Sequence, residues 1–393
     1  MHLRRLAAGG LAVALLMLAA CSGAALNGGS GSGSDTLTIG LIWPQSGPYK
    51  TIGDDQSKGW QLYLDQHGGK IGGHPVKTST GDEGTSAATA LTAAKKLLDA
   101  DHSMVLVGTA SGEANAAVAD LAGHRKVPFI GAGGRASVIK DVSYVWNTSW
   151  LSNELGKAIA PYLQQTVHGT VYTIGPDYQG GWDNVNGFTD AYTKAGGKLA
   201  NPSGKTTWTP WPTTTNYLPY LTQIKDSGAK AVFTFYAGTA AVDFVKQYKQ
   251  ANLGIPLYAS GFLTEGGVLG AQGAAADGVY TVLNYAPNLD NPANRDFVTL
   301  YQRKYGTAPN IYAVSGWDAA LVLDQAIATA GSTPNSPAIN TAIGKLGTIS
   351  SPRGDWRFGG QHSPNQAYYL RRVQPDGRTE ANVVQQTLTT LTN

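Results

Sequence analysis

The chain has 393 residues and a formal net charge of +3. That is enough chain for two domains of ordinary size, and too little charge to argue for nucleic acid or an acidic surface as a partner. A single cysteine excludes an internal disulfide, so stability has to come from buried cores.

The opening Met1-His2-Leu3-Arg4-Arg5 is basic and runs into the uncharged stretch Leu6–Ala20. A membrane-spanning helix needs about 20 apolar residues, so residues 1–20 read instead as a secretory signal peptide. Leu18-Ala19-Ala20-Cys21 resembles the lipobox of bacterial lipoproteins. The resemblance implies cleavage before Cys21 and a lipid on its sulfur, with an ordinary signal peptide and an incidental cysteine as the alternative. Residues 21–35 continue as a Gly- and Ser-rich tether, and folded structure is expected from Thr36.

From there short β-type runs alternate with amphipathic stretches. The strands are expected at Leu37–Ile42, Val76–Thr80, Met104–Val107, Val127–Ile130, Thr170–Ile174, Ala231–Phe235 and Val279–Leu283. Helical patterns lie between them at Gln56–His67, Ala87–Ala100, Asn115–Gly123, Glu154–Gln165, Val185–Ala195, Tyr217–Ser227 and Ala240–Gln250, with Ser86 and Asn153 placed as N-caps. This rhythm predicts βαβ units and parallel sheets covered on both faces. It breaks at Tyr144–Ser152, at Asn284–Pro292 ahead of helices Arg295–Tyr305 and Tyr312–Ala330, and at Arg353–Phe358 ahead of a last strand, Tyr368–Val373. Three breaks divide the body into lobe one, residues 36–151 plus 285–355, and lobe two, residues 152–284 plus 356–393. Thr206–Thr215 reads as a surface loop.

Open parallel sheets bind ligands beyond the carboxyl ends of their strands, where helix N-termini favour anions. The loops there carry unusual residues. The first offers Trp43 and Ser46, the third Ser111 and Gly112, and the fourth Gly133, Gly134 and Arg135. Trp150 stands in the first break, while lobe two supplies Tyr178, Gly180, Trp182, Tyr236 and Phe262. Ser111 can offer both its Oγ and its N–H to an anion. For each loop the competing reading is structural, with glycine serving a turn and an aromatic packing a core.

Other chemistries find less support. Gly131 to Ala136 satisfies a G-x-G-x-x-A pattern, but no acidic residue ends a following strand about 20 residues on. The seven histidines are scattered and no second cysteine exists, so neither a metal nor a cofactor is expected. Asp54-Asp55 and Asp82-Glu83 read as solvated pairs, and no nucleophile and base can be assembled, so turnover is not expected.

In order and spacing, several cues resemble one family, the leucine/isoleucine/valine-binding type of periplasmic solute-binding protein that feeds ABC importers. They are Ile39-Gly40-Leu41 leading to Ser46-Gly47-Pro48, then Gly53 and Gly59, Asp177-Tyr178 with Gly181, Asn291-Pro292 to Phe297, Tyr301 and Tyr305-Gly306, and Gly316-Trp317-Asp318-Ala319-Ala320. The resemblance implies the type I periplasmic binding protein fold: two doubly wound α/β lobes with parallel sheets, joined by three hinge crossings and closing on a small-molecule solute. It implies an ABC permease as membrane partner and a monomer held outside the cytoplasm by the lipid on Cys21. In the family the solute carboxylate is held at positions matching Ser111 and Gly133, Gly134 and Arg135. Arg135 replaces the usual Ser or Thr and could hold a carboxylate bidentately or lie salt-bridged at the rim. Gly180 stands where a Tyr is frequent, and Phe262 near where an acid can meet an ammonium, with Glu265 close by as a substitute. These departures point toward an aromatic or apolar carboxylate as much as toward a branched-chain amino acid. A sensing subunit and, less so, an exported enzyme are the alternatives.

Overall fold

The computed structural model describes residues 36–377 and 379–392. The expected signal peptide, Cys21 and the whole tether lie outside the described residues.

Seven residues of nearly continuous apolar sequence make β1 (Leu37–Trp43), and almost all of them are buried. Such a run belongs in the middle of a parallel sheet, and β1 pairs in parallel with both β3 (His74–Asp82) and β4 (Val105–Gly108). The short β2 (Lys70–Ile71) lies outside β3, while β5 (Phe129–Gly131) and β7 (Val145–Asn147) extend the other side, giving the order β2-β3-β1-β4-β5-β7. A separate two-residue ladder joins β6 (Gly134–Arg135) to β8 (Trp150–Leu151). Helices α1 (Lys50–Gln66), α2 (Ala87–Asp99) and α3 (Gly112–Arg125) belong to this half. Ser86 caps α2 as expected, its Oγ accepting from the Thr89 N–H at 3.2 Å.

The second half begins with α4 (Glu154–Thr166) and β9 (Val171–Pro176), followed by α5 (Gln179–Lys194), β10 (Thr207–Thr209), α6 (Leu218–Asp226) and β11 (Ala231–Thr234). It continues through α7 (Gly238–Ala251), β12 (Leu257–Ser260), α8 (Gly267–Gln272) and β13 (Tyr280–Leu283). The expected N-cap at Asn153 makes no side-chain cap bond; the Glu154 carboxylate instead accepts the Leu151 N–H at 2.9 Å. The chain then returns to the first half as α9 (Pro292–Tyr305), α10 (Ile311–Ile327) and α11 (Ser336–Ile343), and ends in β14 (Ile349–Ser351), β15 (Gly354–Phe358), β16 (Pro364–Asp376) and β17 (Thr379–Leu391).

Two sequence expectations change here. The second sheet, β10-β9-β11-β12-β13-β16-β15-β14 with β17 on β16, is mixed: the pairings of β16 with β13, β15 and β17 are all antiparallel. Thr206–Thr215 is also more than a loop. Thr207–Thr209 forms the edge strand β10, in parallel register with Ile174, Gly175 and Pro176.

Helix α10 crosses α1 so closely that glycine is required on both. A Cβ at Gly59 would stand 2.0 Å from the Ala313 carbonyl oxygen, and one at Gly316 would stand 2.1 Å from that of Gln56. Around this contact Leu37, Ile39, Trp60, Val105, Ile130, Leu323 and Ile343 form the first core, which also takes Ile349 and Trp356 from the late hairpin. Tyr172, Ile174, Val232, Phe244 and Leu257 lie in a second core in the other half.

Three chain crossings join the halves, between β7 and α4, β13 and α9, and β15 and β16. Arg353 connects them. Its guanidinium meets the Asp318 carboxylate at 3.0 Å with both side chains almost fully buried, and it donates to the carbonyls of Thr148 and Ser149 and to Gln366 Oε1. Asn284, on the remaining crossing, donates to the same Ser149 carbonyl and Gln366 oxygen. Removing one partner of a buried pair strands the other charge, at a cost of about 3–5 kcal/mol. Arg353→Met should therefore lower the unfolding free energy by about that amount in urea titration; a loss below about 1 kcal/mol, the size of an exposed pair, would show that the pair carries little of the junction.

Candidate functional site

Where the strand ends of the two halves face one another, the chain encloses a small pocket. The first half supplies Tyr49 and Ile52 at the start of α1, Ala110 and Gly112 after β4, Gly133 and Gly134 at β6, Trp150 and Ser152 at the crossing, and Tyr312 from α10. The second half supplies Tyr178, Gly180 and Asn184 around the start of α5, Phe235 and Ala237 after β11, and Phe262 after β12. The cavity is about 430 Å³. That limits an occupant of the closed form to a small molecule.

The walls are aromatic. Phe262 packs 4.8 Å from Trp150, 5.9 Å edge-on to Phe235 and 6.1 Å from Tyr312, between ring centroids. Gly180 leaves room for this arrangement, because a Cβ there would fall 2.8 Å from the Tyr178 ring. Tyr178 therefore fills the space that a larger residue at position 180 would take. Among the described residues no lining side chain is charged, and the polar ones are Ser152, Asn184, the tyrosine hydroxyls and the Trp150 indole N–H.

The halves are closed on each other. Tyr49 and Tyr178, from opposite sides, hydrogen-bond through their hydroxyls at 2.6 Å, and Trp211 stacks on both rings at 5.7 and 4.8 Å. The Ser137 N–H and Oγ donate to the Asp183 carboxylate at 2.9 and 2.5 Å. The Ile311 N–H donates to Glu265 at 2.9 Å, and the other Glu265 oxygen meets Arg371 at 2.9 Å. Glu265 is thus held by an arginine and a helix N-terminus, away from any role facing an ammonium in the pocket.

Glu83 corrects a sequence expectation. It is not solvated but 1% exposed, and its carboxylate accepts the N–H groups of Ala110 and Ser111, both at 2.7 Å. The anion that the Ser111 N–H meets here is the protein's own side chain. Burial raises the Glu83 carboxyl to about 7, against the lowering effect of those hydrogen bonds.

The other expected residues divide by direction. Gly112, Gly133, Gly134, Trp150, Tyr178, Gly180 and Phe262 come together in the wall, while Trp43, Ser46, Ser111, Arg135, Trp182 and Tyr236 do not line it. Trp43 packs in the first core and Tyr236 in the second. The Ser46 hydroxyl donates to Asp82 at 2.7 Å, Ser111 Oγ caps α3 by accepting the Ala114 N–H, and the Trp182 indole donates to Asp177 at 2.8 Å. Arg135 neither reaches the pocket nor sits at an exposed rim. It is buried and donates to the Gln361 backbone carbonyl, because successive residues of a strand point to opposite faces and its neighbour Gly134 takes the pocket side. Tyr49, Ile52, Ala110, Ser152, Asn184, Phe235, Ala237 and Tyr312 are wall residues that the sequence reading did not single out.

The buried Glu83 gives a pH signature. Its folded value lies above the ordinary 4.5, so between about pH 4.5 and 7 the folded state binds the proton more tightly than the unfolded chain, and stability falls as pH rises. Glu83's contribution is full below the lower value and lost above the upper one. Melting temperatures from pH 4 to 8 should show this decline in the wild type and a flatter profile in Glu83→Gln; parallel profiles would mean that Glu83 titrates normally.

Three comparisons bear on this geometry. Residues 36–378 match the periplasmic binding protein family. The Leu/Ile/Val-binding protein homolog 6 of Brucella melitensis is 29% identical over 371 residues, 92% of each chain. A solute-binding protein of an R. palustris ABC transporter, solved in complex with benzoate, is 30% identical with a TM-score of 0.83, covering 91% of this chain and 97% of the other. A second from R. palustris, in complex with 4-hydroxybenzoate, is 26% identical with a TM-score of 0.82, covering 91% and 98%. The chain belongs to the periplasmic binding protein family, and its relatives there are solute-binding proteins of ABC transporters, not enzymes.

Proposed function

We propose that this protein is the extracytoplasmic receptor of an ABC importer, a monomer that captures a small aromatic or apolar carboxylate and presents it to a membrane permease. The observation that carries the reading is the uncharged, ring-lined pocket between the closed halves. Aromatic pairs at these separations favour a flat apolar occupant. A free amino acid would bring an ammonium that, among the described residues, no lining carboxylate meets, and burying such a charge unpaired is costly. The solute's carboxylate would be held at the end formed by Gly112, the first residue of α3, with Gly133 and Gly134. There a helix N-terminus and backbone N–H groups can hold an anion without a cationic side chain. Trp150, Tyr178, Gly180 and Phe262 would enclose the ring, together with Tyr49, Phe235 and Tyr312. The benzoate and 4-hydroxybenzoate complexes of the two R. palustris relatives support this solute class.

Leu18-Ala19-Ala20-Cys21 supports a lipid anchor on Cys21, with residues 22–35 as the tether between membrane and receptor. Expressed in a bacterium, the wild type should fractionate with membranes and carry a mass increment on Cys21, and Cys21→Ala should not; a wild type released in soluble form would leave only an ordinary signal peptide.

Thermal melts and calorimetry of the purified chain against benzoate, other aromatic acids, leucine, isoleucine and a neutral sugar test the solute class. Aromatic acids should raise the melting temperature as RT ln(1 + [L]/Kd). Phe262→Ala should weaken their binding by more than tenfold, since truncating a central buried aromatic costs about 2 kcal/mol or more. Binding of leucine or the sugar with no response to any aromatic acid would overturn the assignment.

A further inference from the structure

We propose that Asn184 makes the pocket select solutes whose ring carries a neutral hydrogen-bond donor, a hydroxyl, in addition to the carboxylate. The inference rests on the aromatic-carboxylate reading of the site and adds the group that Asn184 recognises.

Asn184 is 2% exposed and lines the pocket. Its Nδ2 donates to the Gly180 carbonyl at 2.8 Å. A carbonyl can only accept, so this bond fixes which end of the amide is which. The opposite atom, Oδ1, is therefore an acceptor, and it meets no hydrogen-bond donor among the described residues. A buried acceptor left in this state is costly, and a donor arriving with the solute would recover that cost. Gly180 O anchors the amide within the same helix, so the acceptor is held in place before any solute arrives.

The chemistry of the missing donor follows from what surrounds it. An ammonium would need a carboxylate, and the nearby buried acids are already engaged: Glu265 with Arg371 and the Ile311 N–H, Glu83 with the N–H groups of Ala110 and Ser111. Asp183, one residue before Asn184, holds Ser137 across the halves. A hydroxyl donates one hydrogen bond and brings no charge, which matches an unmet neutral acceptor in an uncharged wall.

Calorimetry with benzoate and the three monohydroxybenzoates, on wild type and Asn184→Leu, tests this. The wild type should bind at least one monohydroxybenzoate tenfold or more tightly than benzoate, because a site built around a polar group rejects the analogue that leaves it unpaired. Asn184→Leu should lose that preference, the ratio of monohydroxybenzoate to benzoate affinity falling toward one. Benzoate bound by the wild type as tightly as every monohydroxybenzoate would overturn the inference and leave the aromatic-acid reading standing. Failure of all four acids would overturn that reading itself. Isoleucine, included as a further arm, would show by tight binding lost in Asn184→Leu that the donor is an ammonium and the hydroxyl assignment wrong. The wild-type ratios decide the matter even if the variant folds poorly.

Discussion

The junction between the two halves rests on one buried ion pair of the first half. Arg353 and Asp318 are almost wholly removed from water, a position in which neither charge is tolerable alone. Burial pushes the Asp318 carboxyl up to about 6 even with the guanidinium beside it. The remaining guanidinium hydrogens are spent on Thr148 and Ser149 of the first crossing and on Gln366, at the start of β16 just past the third. Gln366 passes the connection onward to the Tyr368 hydroxyl, which donates to Glu154 at the start of the second half. A junction built this way fixes where the halves meet while leaving their far edges free to approach or separate, as a hinge requires.

What the hinge brings together is a pocket whose specificity lies in shape and neutral polarity. The ionisable groups near it are turned toward the protein: Glu83 holds the loop after β4, Asp183 holds Ser137, and Glu265 holds the start of α10. Their charges thus order the walls without lining them. The aromatic rings then provide large contact area at little conformational cost, since each is already packed against another.

The central strands were legible because parallel strands buried on both faces must be continuous apolar runs, as Leu37–Trp43 is. Strand β12 has four residues behind a proline and β17 is rich in Thr and Gln, so neither carries a clear alternation. The family cues have a physical basis that no sequence displays. Gly59 and Gly316 are where two helix backbones touch, and a Cβ at Gly53 or Gly181 would fall 2.1 or 2.0 Å from a proline carbonyl oxygen. The site was legible as a set of loops and only in part residue by residue. The sequence points to Gly112 and Gly134, which lie in the wall, but also to Tyr236, Ser111 and Arg135, which do not, and Phe235 and Ala237 line it in place of Tyr236. A side chain one position along a strand faces the opposite way, and only the strand's register in three dimensions settles which face is which. Glu83 reads as a surface acid until the loop that closes over it is seen.

The contacts that hold the halves shut are individually modest. A neutral hydrogen bond such as that between Tyr49 and Tyr178 contributes about 1 kcal/mol net, and one to a charged group such as Asp183 about 1.5–3 kcal/mol. Against these stand the desolvation of Asp183, whose carboxyl burial raises, and the unmet acceptor at Asn184. The balance for closing an empty pocket is therefore small, and a receptor needs it small. If closure were strongly favourable without solute, the open form that admits solute would be scarce and binding would be slow. If it were strongly unfavourable, most of the solute's binding energy would go into closing. A solute that covers the rings and satisfies Asn184 stabilises only the closed arrangement, and that difference between the two states is what converts occupancy into a shape a membrane partner can recognise.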